Sequence, residues 1–257
     1  YNTGSYIFGD EVVTTLMAQS MANPSIHWEE VRQGNIGIDL GMWNSRLTLS
    51  VDGYIKNTTD MLVKAAIPIT SGYEDIYTTY TNAGKVSNKG VEFTVSTVNF
   101  ESTTGGFRWE TSLNATFNTN RIVSLNSDTP LYQNENSGAY ITMQKNGLPI
   151  NVFYGYVTDG LFQTQAEIDS HAFQQTGTAP GDIRFKDLNN DGVINENDRT
   201  VIGDPNPDWI FSMSNTFSYK GFDLSIYLQG VAGNDIFNAT SISNESMSSA
   251  RNQTASV

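Results

Sequence analysis

The chain predicts an all-β protein built from antiparallel strands, on the strength of three observations. Apolar and polar residues alternate with a period of two along several stretches. Those stretches come in pairs joined by short turns, and the pairs are separated by far longer polar connections. Strict alternation places every second side chain on the same face of a strand, so each pair reads as a hairpin with one apolar and one polar face.

The first hairpin covers residues 35–56. Ile36, Ile38, Leu40 and Met42 alternate with Asn35, Gly37, Asp39 and Gly41. After a turn at Asn44 and Ser45 the pattern resumes, with Leu47, Leu49, Val51 and Ile55 set against Thr48, Ser50, Asp52 and Lys56. The second covers 90–118: Val91, Phe93 and Val95, then Phe107, Trp109, Leu113, Ala115 and Phe117, joined through Thr103, Thr104, Gly105 and Gly106. The third covers 209–230, where Trp209, Phe211, Met213, Phe217 and Tyr219 lead through Lys220 and Gly221 into Phe222, Leu224, Ile226 and Leu228. Between them, 57–89 and 119–208 are expected as long loops, well beyond the ~4–6 residues usual in a compact domain. The second contains strand-like pieces at 153–162 and 183–185, which mark it as a folded excursion. Val12, Val13, Leu16 and Met17 have a loosely helical spacing too irregular to assign.

Two frames produce this pattern. In a soluble sandwich the apolar faces meet each other and the polar faces meet water. In a large outer-membrane barrel the apolar faces meet lipid and the polar faces line a lumen. Short turns opposite long loops, strands near the ~9–11 residues that a tilted membrane strand needs, and aromatics at strand ends (Trp43, Phe107, Trp109, Phe117, Trp209 and Tyr219) belong with the barrel. Periodicity alone leaves both open.

Composition narrows function. The 257 residues carry 14 basic and 27 acidic side chains, a net charge of −13. That charge repels a phosphate backbone and argues against a nucleic-acid partner. Without Cys there is no disulfide, thiol or Cys-ligated metal site, and two His leave little for zinc or a catalytic dyad. No apolar run reaches the ~18 residues of a membrane helix, which says nothing against a barrel. The polar stretch at the C-terminal end and the start at Tyr1 are read as belonging to a piece of a longer protein.

Several stretches, in order along nearly the whole chain, resemble the SusC/RagA-like family of TonB-linked outer-membrane transporters. They are Asn23-Pro24 through His27-Trp28-Glu29 into Asn35-Ile36-Gly37-Ile38-Asp39, Asn82-Ala83-Gly84-Lys85-Val86-Ser87-Asn88-Lys89-Gly90-Val91-Glu92, Phe153 to Phe162, Gly181-Asp182 through Ile202-Gly203-Asp204-Pro205-Asn206-Pro207-Asp208, and Tyr219 to Leu224 continuing to Gly233-Asn234-Asp235-Ile236-Phe237-Asn238. The resemblance implies that residues 1–257 are a late part of a closed barrel of about 22 strands in the outer membrane. It further implies a SusD-like surface lipoprotein as cap, energy from TonB through a segment not included here, and oligosaccharides or peptides as cargo rather than covalent chemistry. Ser25-Ile26-His27 stands where the family usually carries an acidic, an aliphatic and a Lys-like residue before Trp-Glu, and Asn190 stands where Gly is common before Asp-Gly.

One motif points to a metal. Asp187, Asn189 and Asp191 at positions one, three and five, Gly192 at the sharp turn, the Val193 carbonyl at seven and Asp198 at twelve spell a calcium loop. The same spelling also makes an Asx-rich turn whose side chains cap local amides without an ion. The flanks, Ile183 to Phe185 and Arg199 to Ile202, read as extended rather than helical and argue against a paired-helix EF-hand. The alternative to the importer is therefore a soluble calcium-dependent carbohydrate-binding or adhesion module.

Tyr73, Tyr77, Tyr80, Tyr132, Tyr140, Tyr154 and Tyr156 offer rings either to a ligand or cap, or to ordinary loop packing. The adjacent pairs Glu29-Glu30 and Glu74-Asp75 do not suit a glycosidase, because neighbours on a strand point to opposite faces. His27 has no recognisable nucleophile, and Gly155 and Gly160 precede no phosphate-binding Lys-Ser/Thr pair.

Overall fold

The structure, a computed structural model, describes residues 2–17, 21–65, 70, 79–104, 106–125, 129–136 and 139–245. Its frame is a six-stranded antiparallel sheet in the order β14-β13-β6-β5-β4-β3. Here β3 is Glu30–Met42, β4 Leu47–Ala65, β5 Thr79–Glu101, β6 Phe107–Ser124, β13 Trp209–Tyr219 and β14 Phe222–Ala232. Every neighbour is adjacent in the chain except β6 and β13, which are separated by the excursion.

The register explains why one face is greasy. Leu40, Leu49, Val95, Leu113, Met213 and Leu228 are successive cross-strand partners, as are Ile38, Val51, Phe93, Ala115, Phe211 and Gly230 one pleat away. On the opposite face the corresponding row is Asp39, Ser50, Thr94, Asn114, Ser212 and Gln229. A slip of one residue in any strand would mix the two faces, so the alternation seen in the sequence fixes the pairing.

Among the described residues, no second layer covers the apolar face. Ile36 is 79% and Leu224 57% exposed, and the buried apolar side chains lie elsewhere. A sandwich would bury these positions; a barrel wall presents them to lipid. The described arrangement is the wall, and the soluble sandwich is set aside.

Turns and aromatics mark the two ends. At one end β3 and β4 are joined through Trp43, Asn44 and Ser45, all left-handed, with the Arg46 amide donating to the Trp43 carbonyl at 3.2 Å. At the same end Lys220 and Gly221 have φ of 46° and 86°, the two-residue turn that matches strand twist. Phe107 stacks on Phe217 at 6.4 Å and Trp109 on Phe217 at 5.7 Å, while at the far end Phe117 packs on Trp209 at 5.1 Å. Phe107 and Phe117 are separated by about 34 Å along β6, or about 26 Å after a tilt of ~40°, close to the ~25 Å apolar band of a membrane barrel.

Connection 57–89, expected as loop, is mostly strand: β4 runs on to Ala65 and β5 starts at Thr79. The alternation is hidden there because Asp60 adopts φ of 58° and the register shifts between Thr58 and Met61, a bulge that changes the phase of the pattern. β6 likewise extends to Ser124, inside the expected loop 119–208. The N-terminal stretch forms a separate hairpin, β1 (Asn2–Phe8) on β2 (Glu11–Met17). Its run of Val12, Val13, Thr14 and Thr15 favours a strand over the loosely helical spacing.

Glycines sit where aromatic rings lie flat on the sheet. A Cβ at Gly90 would come within 2.5 Å of the Tyr54 hydroxyl and 2.6 Å of the Phe117 carbonyl oxygen. Tyr54 lies over it and donates to Asn118 at 2.9 Å.

In the lipid-facing reading, Leu113→Arg in the middle of the band destabilises the full-length barrel by about 2–4 kcal/mol, whereas Asn114→Arg on the polar face costs far less. Denaturant unfolding of the full-length protein in lipid vesicles measures the difference; equal effects would contradict the assignment of faces.

Candidate functional site

The polar face forms a hydroxyl- and amide-rich wall. Thr94 donates to Asn114 at 3.0 Å, Ser96 and Ser112 lie 3.3 Å apart, and Ser50 donates to Asp39. Asp52 and Glu92 face each other directly across β4 and β5. Like charges opposed in this way repel, and water is what makes the pair tolerable. A wet wall of hydroxyls and amides, with Asp39, Asp52 and Glu92 alongside Lys56 and the paired Arg108, is a surface along which polar solutes can move.

At the long-connection end, the excursion folds onto this same face. Its strands β7 (Leu131–Asn136), β8 (Ala139–Gln144), β9 (Val152–Tyr156) and β12 (Arg199–Gly203) make a four-stranded sheet in the order β12-β9-β8-β7. Where β6 outruns β13, residues 147–148 complete its ladder: the Ile122 amide donates to the Leu148 carbonyl and the Gly147 amide to the Ile122 carbonyl, both at 2.8 Å. The Ile150 amide donates to Asn120 at 2.8 Å, and Arg121 donates to the Gly147 carbonyl at 2.8 Å. Val86 and Ile122 project from the polar face and bury with Leu125 against Met61, Leu131 and Ile150. Burying apolar side chains of this size is worth about 1.5–3 kcal/mol each, enough to seat the excursion over the mouth.

Between the two layers lies a cleft of about 540 Å³, reached by Tyr80, Tyr132 and Tyr140. Tyr132 stacks on Tyr140 at 5.7 Å and meets Tyr154 at 5.1 Å. Burial, followed by the Tyr132 hydroxyl, pushes the Tyr154 phenol up to about 12, so it remains a neutral hydrogen-bonding group. Tyr156 packs on Phe185 at 5.2 Å under the Arg199 guanidinium and serves loop packing. Tyr73, Tyr77 and the pair Glu74-Asp75 lie outside the described residues.

The calcium-loop spelling follows β11 (Ile183–Phe185), which pairs with β10 (Thr158–Leu161). Its extended flanks are those expected. Asp187 accepts the Gly192 amide at 2.8 Å and the Asp191 amide at 3.3 Å; Asn189 accepts the Asp191 amide at 3.0 Å; Asp191 accepts the Val193 amide at 2.9 Å. Asp198 is wholly buried and accepts the Leu188 amide at 2.9 Å and the Asn195 amide at 2.8 Å. The Asn195 amide foremost, then those of Leu188 and Asn189 and the Asp187 side chain, hold its carboxyl below the usual carboxylate range, against burial, which acts the other way. Among the described residues no three acidic or His side chains converge as a metal cluster. Any cation here would also draw on neutral oxygens such as Asn189 and the Val193 carbonyl, a hard donor set that suits calcium.

The remaining singled-out residues have structural partners. Glu29 accepts the Leu62 amide at 2.9 Å, and Glu30 pairs with Arg32 at 2.9 Å. His27 sits 3.7 Å from Asp60, and its backbone is held by Asn82, which accepts its amide at 3.0 Å and donates to its carbonyl at 2.8 Å. Gly160 has φ of 89°, a backbone requirement. Asn120 and Asn206, which hold Ile150 of the excursion through its amide and its carbonyl, carry no local motif, because that partner is distant in the chain.

A sheet with a bare apolar face, aromatic rows at both margins and a polar inner wall defines a segment of an outer-membrane β-barrel. Residues 1–191 match the model of the family described as TonB dependent receptor-like, beta-barrel, and the chain belongs to that family. TonB-dependent receptor P3 of Formosa agariphila is 32% identical over 97% of this chain and 25% of its own length. TonB-dependent receptor SusC of Bacteroides thetaiotaomicron is 27% identical over 90% of this chain and 22% of its own. The RagAB peptide importer in its 'closed-closed' state superposes with a TM-score of 0.67 at 22% identity, over 91% of this chain and 24% of that one. The chain thus spans about a quarter of the length of these relatives, within the outer membrane.

The Asp198 carboxylate contributes order that is fully present above the ordinary carboxylate pKa of ~3.9 and is lost as pH falls through its lower folded value. Amide exchange at Leu188 and Asn195 should accelerate across that acidic window in the native protein. In Asp198→Asn it should already be fast at neutral pH; unchanged protection in the variant would contradict the capping role.

Proposed function

We propose that the full-length protein is a nutrient importer of the SusC/RagA type, carrying oligosaccharides or peptides across the outer membrane with a SusD-like surface lipoprotein and energy from TonB. The observation that carries this reading is the pairing of a continuous polar wall with an excursion folded over that wall at one end. Such a wall gives a polar solute a hydrated path, and the excursion narrows its mouth. Among similar proteins SusC is a TonB-dependent receptor and RagAB a peptide importer, which supports energy from TonB and a peptide cargo, while the oligosaccharide cargo and the lipoprotein cap rest on the resemblance read in the sequence. Cells expressing the full-length protein should accumulate a labelled oligosaccharide or peptide and should lose that uptake when TonB is deleted. A lipoprotein should co-purify with it. Uptake that persists at full rate without TonB would overturn the reading.

A second proposal concerns the loop 187–198: it takes a calcium ion that stiffens the excursion. Asp187, Asn189, Asp191 and Asp198 share one amide-capped loop that supplies the hard oxygen donors calcium takes. Calcium should slow proteolysis of the loop in the full-length protein relative to chelator, and Asp191→Ala should abolish that protection while leaving barrel insertion intact. Identical cleavage with calcium and with chelator would refute it.

A further inference from the structure

We propose that the lipid-facing side of the sheet, at its turn end, holds a phospholipid by its glycerophosphate, with the phosphate at Arg46 and the ester oxygens at Asn99 and Asn215. Gaps in the apolar alternation point there. Positions 97, 111 and 215 carry Thr, Thr and Asn where the pattern of β5, β6 and β13 calls for apolar side chains. The register sets them side by side in the row Leu47, Thr97, Thr111, Asn215 and Ile226, one pleat from the row of Leu40 to Leu228 and on the same face.

The row is bonded together, and what it leaves over is donors. The Thr97 hydroxyl donates to Asn99 at 2.9 Å and Asn99 to the Thr111 hydroxyl at 2.6 Å. Thr111 and the Trp109 indole both donate to the Asn215 side-chain oxygen, at 2.7 and 3.0 Å. Among the described residues the Asn215 amide nitrogen donates to nothing, and an amide N–H in hydrocarbon is costly without an acceptor. The adjoining recess, of about 370 Å³, is lined by Trp43, Arg46, Leu47, Thr97, Val98 and Asn99. Arg46 is exposed, and its guanidinium donates to the Val98 carbonyl at 3.4 Å. Among the described residues no carboxylate pairs with it, whereas Arg32, Arg108, Arg184 and Arg199 each have one. Turns 43–46, 102–106 and 220–221 hold Arg46 and Lys220 and no acidic residue, in a chain of net charge −13. Phosphate and ester oxygens only accept, so a glycerophosphate matches what the row offers; a polypeptide surface would bring donors of its own.

Depth follows from strand tilt. β3 and β4 turn back at the Met42–Leu47 pair, whereas β13 runs on from Asn215 to Tyr219. That stretch, at ~3.4 Å per residue and a tilt of ~40°, is about 10 Å of depth, and the spacings from β4 to β13, ~4.8 Å each, give about 9 Å across the same tilt. The row therefore starts at the membrane margin beside Arg46 and enters the apolar band at Asn215, the order of phosphate and esters in a lipid. Arg46 already reaches β5, so Asn215 lies about 10 Å away, a gap that a phosphate and its neighbouring ester span with a hydrogen bond at each end. Leu47, Leu49 and Ile226 then present hydrocarbon to the acyl chains.

The test uses the full-length protein, washed in mild detergent and weighed intact by native mass spectrometry after exposure to phosphatidylglycerol, to diacylglycerol or to inorganic phosphate. Wild type should retain phosphatidylglycerol about fivefold better than diacylglycerol. Arg46→Gln should lower occupancy of the tightest-held phosphatidylglycerol about fivefold. Asn215→Leu, which suits hydrocarbon and so keeps the test open if Arg46→Gln does not insert, should lower it as well. An inserted variant that holds phosphatidylglycerol as wild type does, diacylglycerol held equally well, or displacement of the lipid by inorganic phosphate would overturn the site. So would a variant that changes the number of copies per particle without losing lipid, which would make the row a contact between polypeptides.

Discussion

The need to pair every main-chain amide in hydrocarbon is the constraint on which the rest of the structure depends. Lipid offers no hydrogen bonds, so a spanning strand must find its partners in neighbouring strands. The six-stranded sheet meets that demand internally through one continuous register, and the register is what aligns Leu40, Leu49, Val95, Leu113, Met213 and Leu228 on a single face. Side-chain pattern and amide pairing are thus two statements of one geometry. Among the described residues the outer edges of β3 and β14 have no strand beside them, and a closed barrel is the arrangement that meets the same demand at every edge.

Once the faces are fixed, the two ends can differ. Turns at Trp43 to Ser45 and at Lys220-Gly221 close hairpins with a few left-handed residues and leave little beyond the membrane. At the other end β4, β5 and β6 outrun their neighbours, and the extra length provides the ladder positions and the apolar side chains, Val86 and Ile122, on which the excursion seats. The bulge at Asp60 belongs to this transition. It changes the phase of β4 so that Met61 joins the polar-face cluster above the band.

Much of the frame was legible because a half-buried or lipid-facing strand writes its environment every second residue. The hairpins around 35–56, 90–118 and 209–230 are where that rule holds without interruption. Legibility failed at 57–65 and 79–89, where a single left-handed residue reverses the phase, and in β2, where a short two-stranded ribbon has no face long enough to dominate. The calcium-loop residues were visible as a local motif, and the structure places them in one amide-capped loop. The cleft was not visible, because Met61, Ile122 and Leu131 are brought together by the long-range seating of the excursion and nothing near any one of them announces it. The ring trio of Tyr132, Tyr140 and Tyr154 was seen only as scattered aromatics for the same reason.

The seating of the excursion also bears on which face is wet. A chain segment from 125 to 208 has the length to lie over either side of the sheet, and hydrophobic burial alone would draw it to the side with Ile36, Val51, Leu113 and Leu224, where far more apolar surface is available. It lies instead on the hydroxyl-rich side, using a small apolar island at the rim and a set of side-chain amides, Asn120 and Asn206 among them, that donate to or accept from its backbone. That choice is unfavourable for a sheet immersed in water on both sides. It is the expected one when lipid already covers the apolar side and the only aqueous surface left to cap is the inner wall.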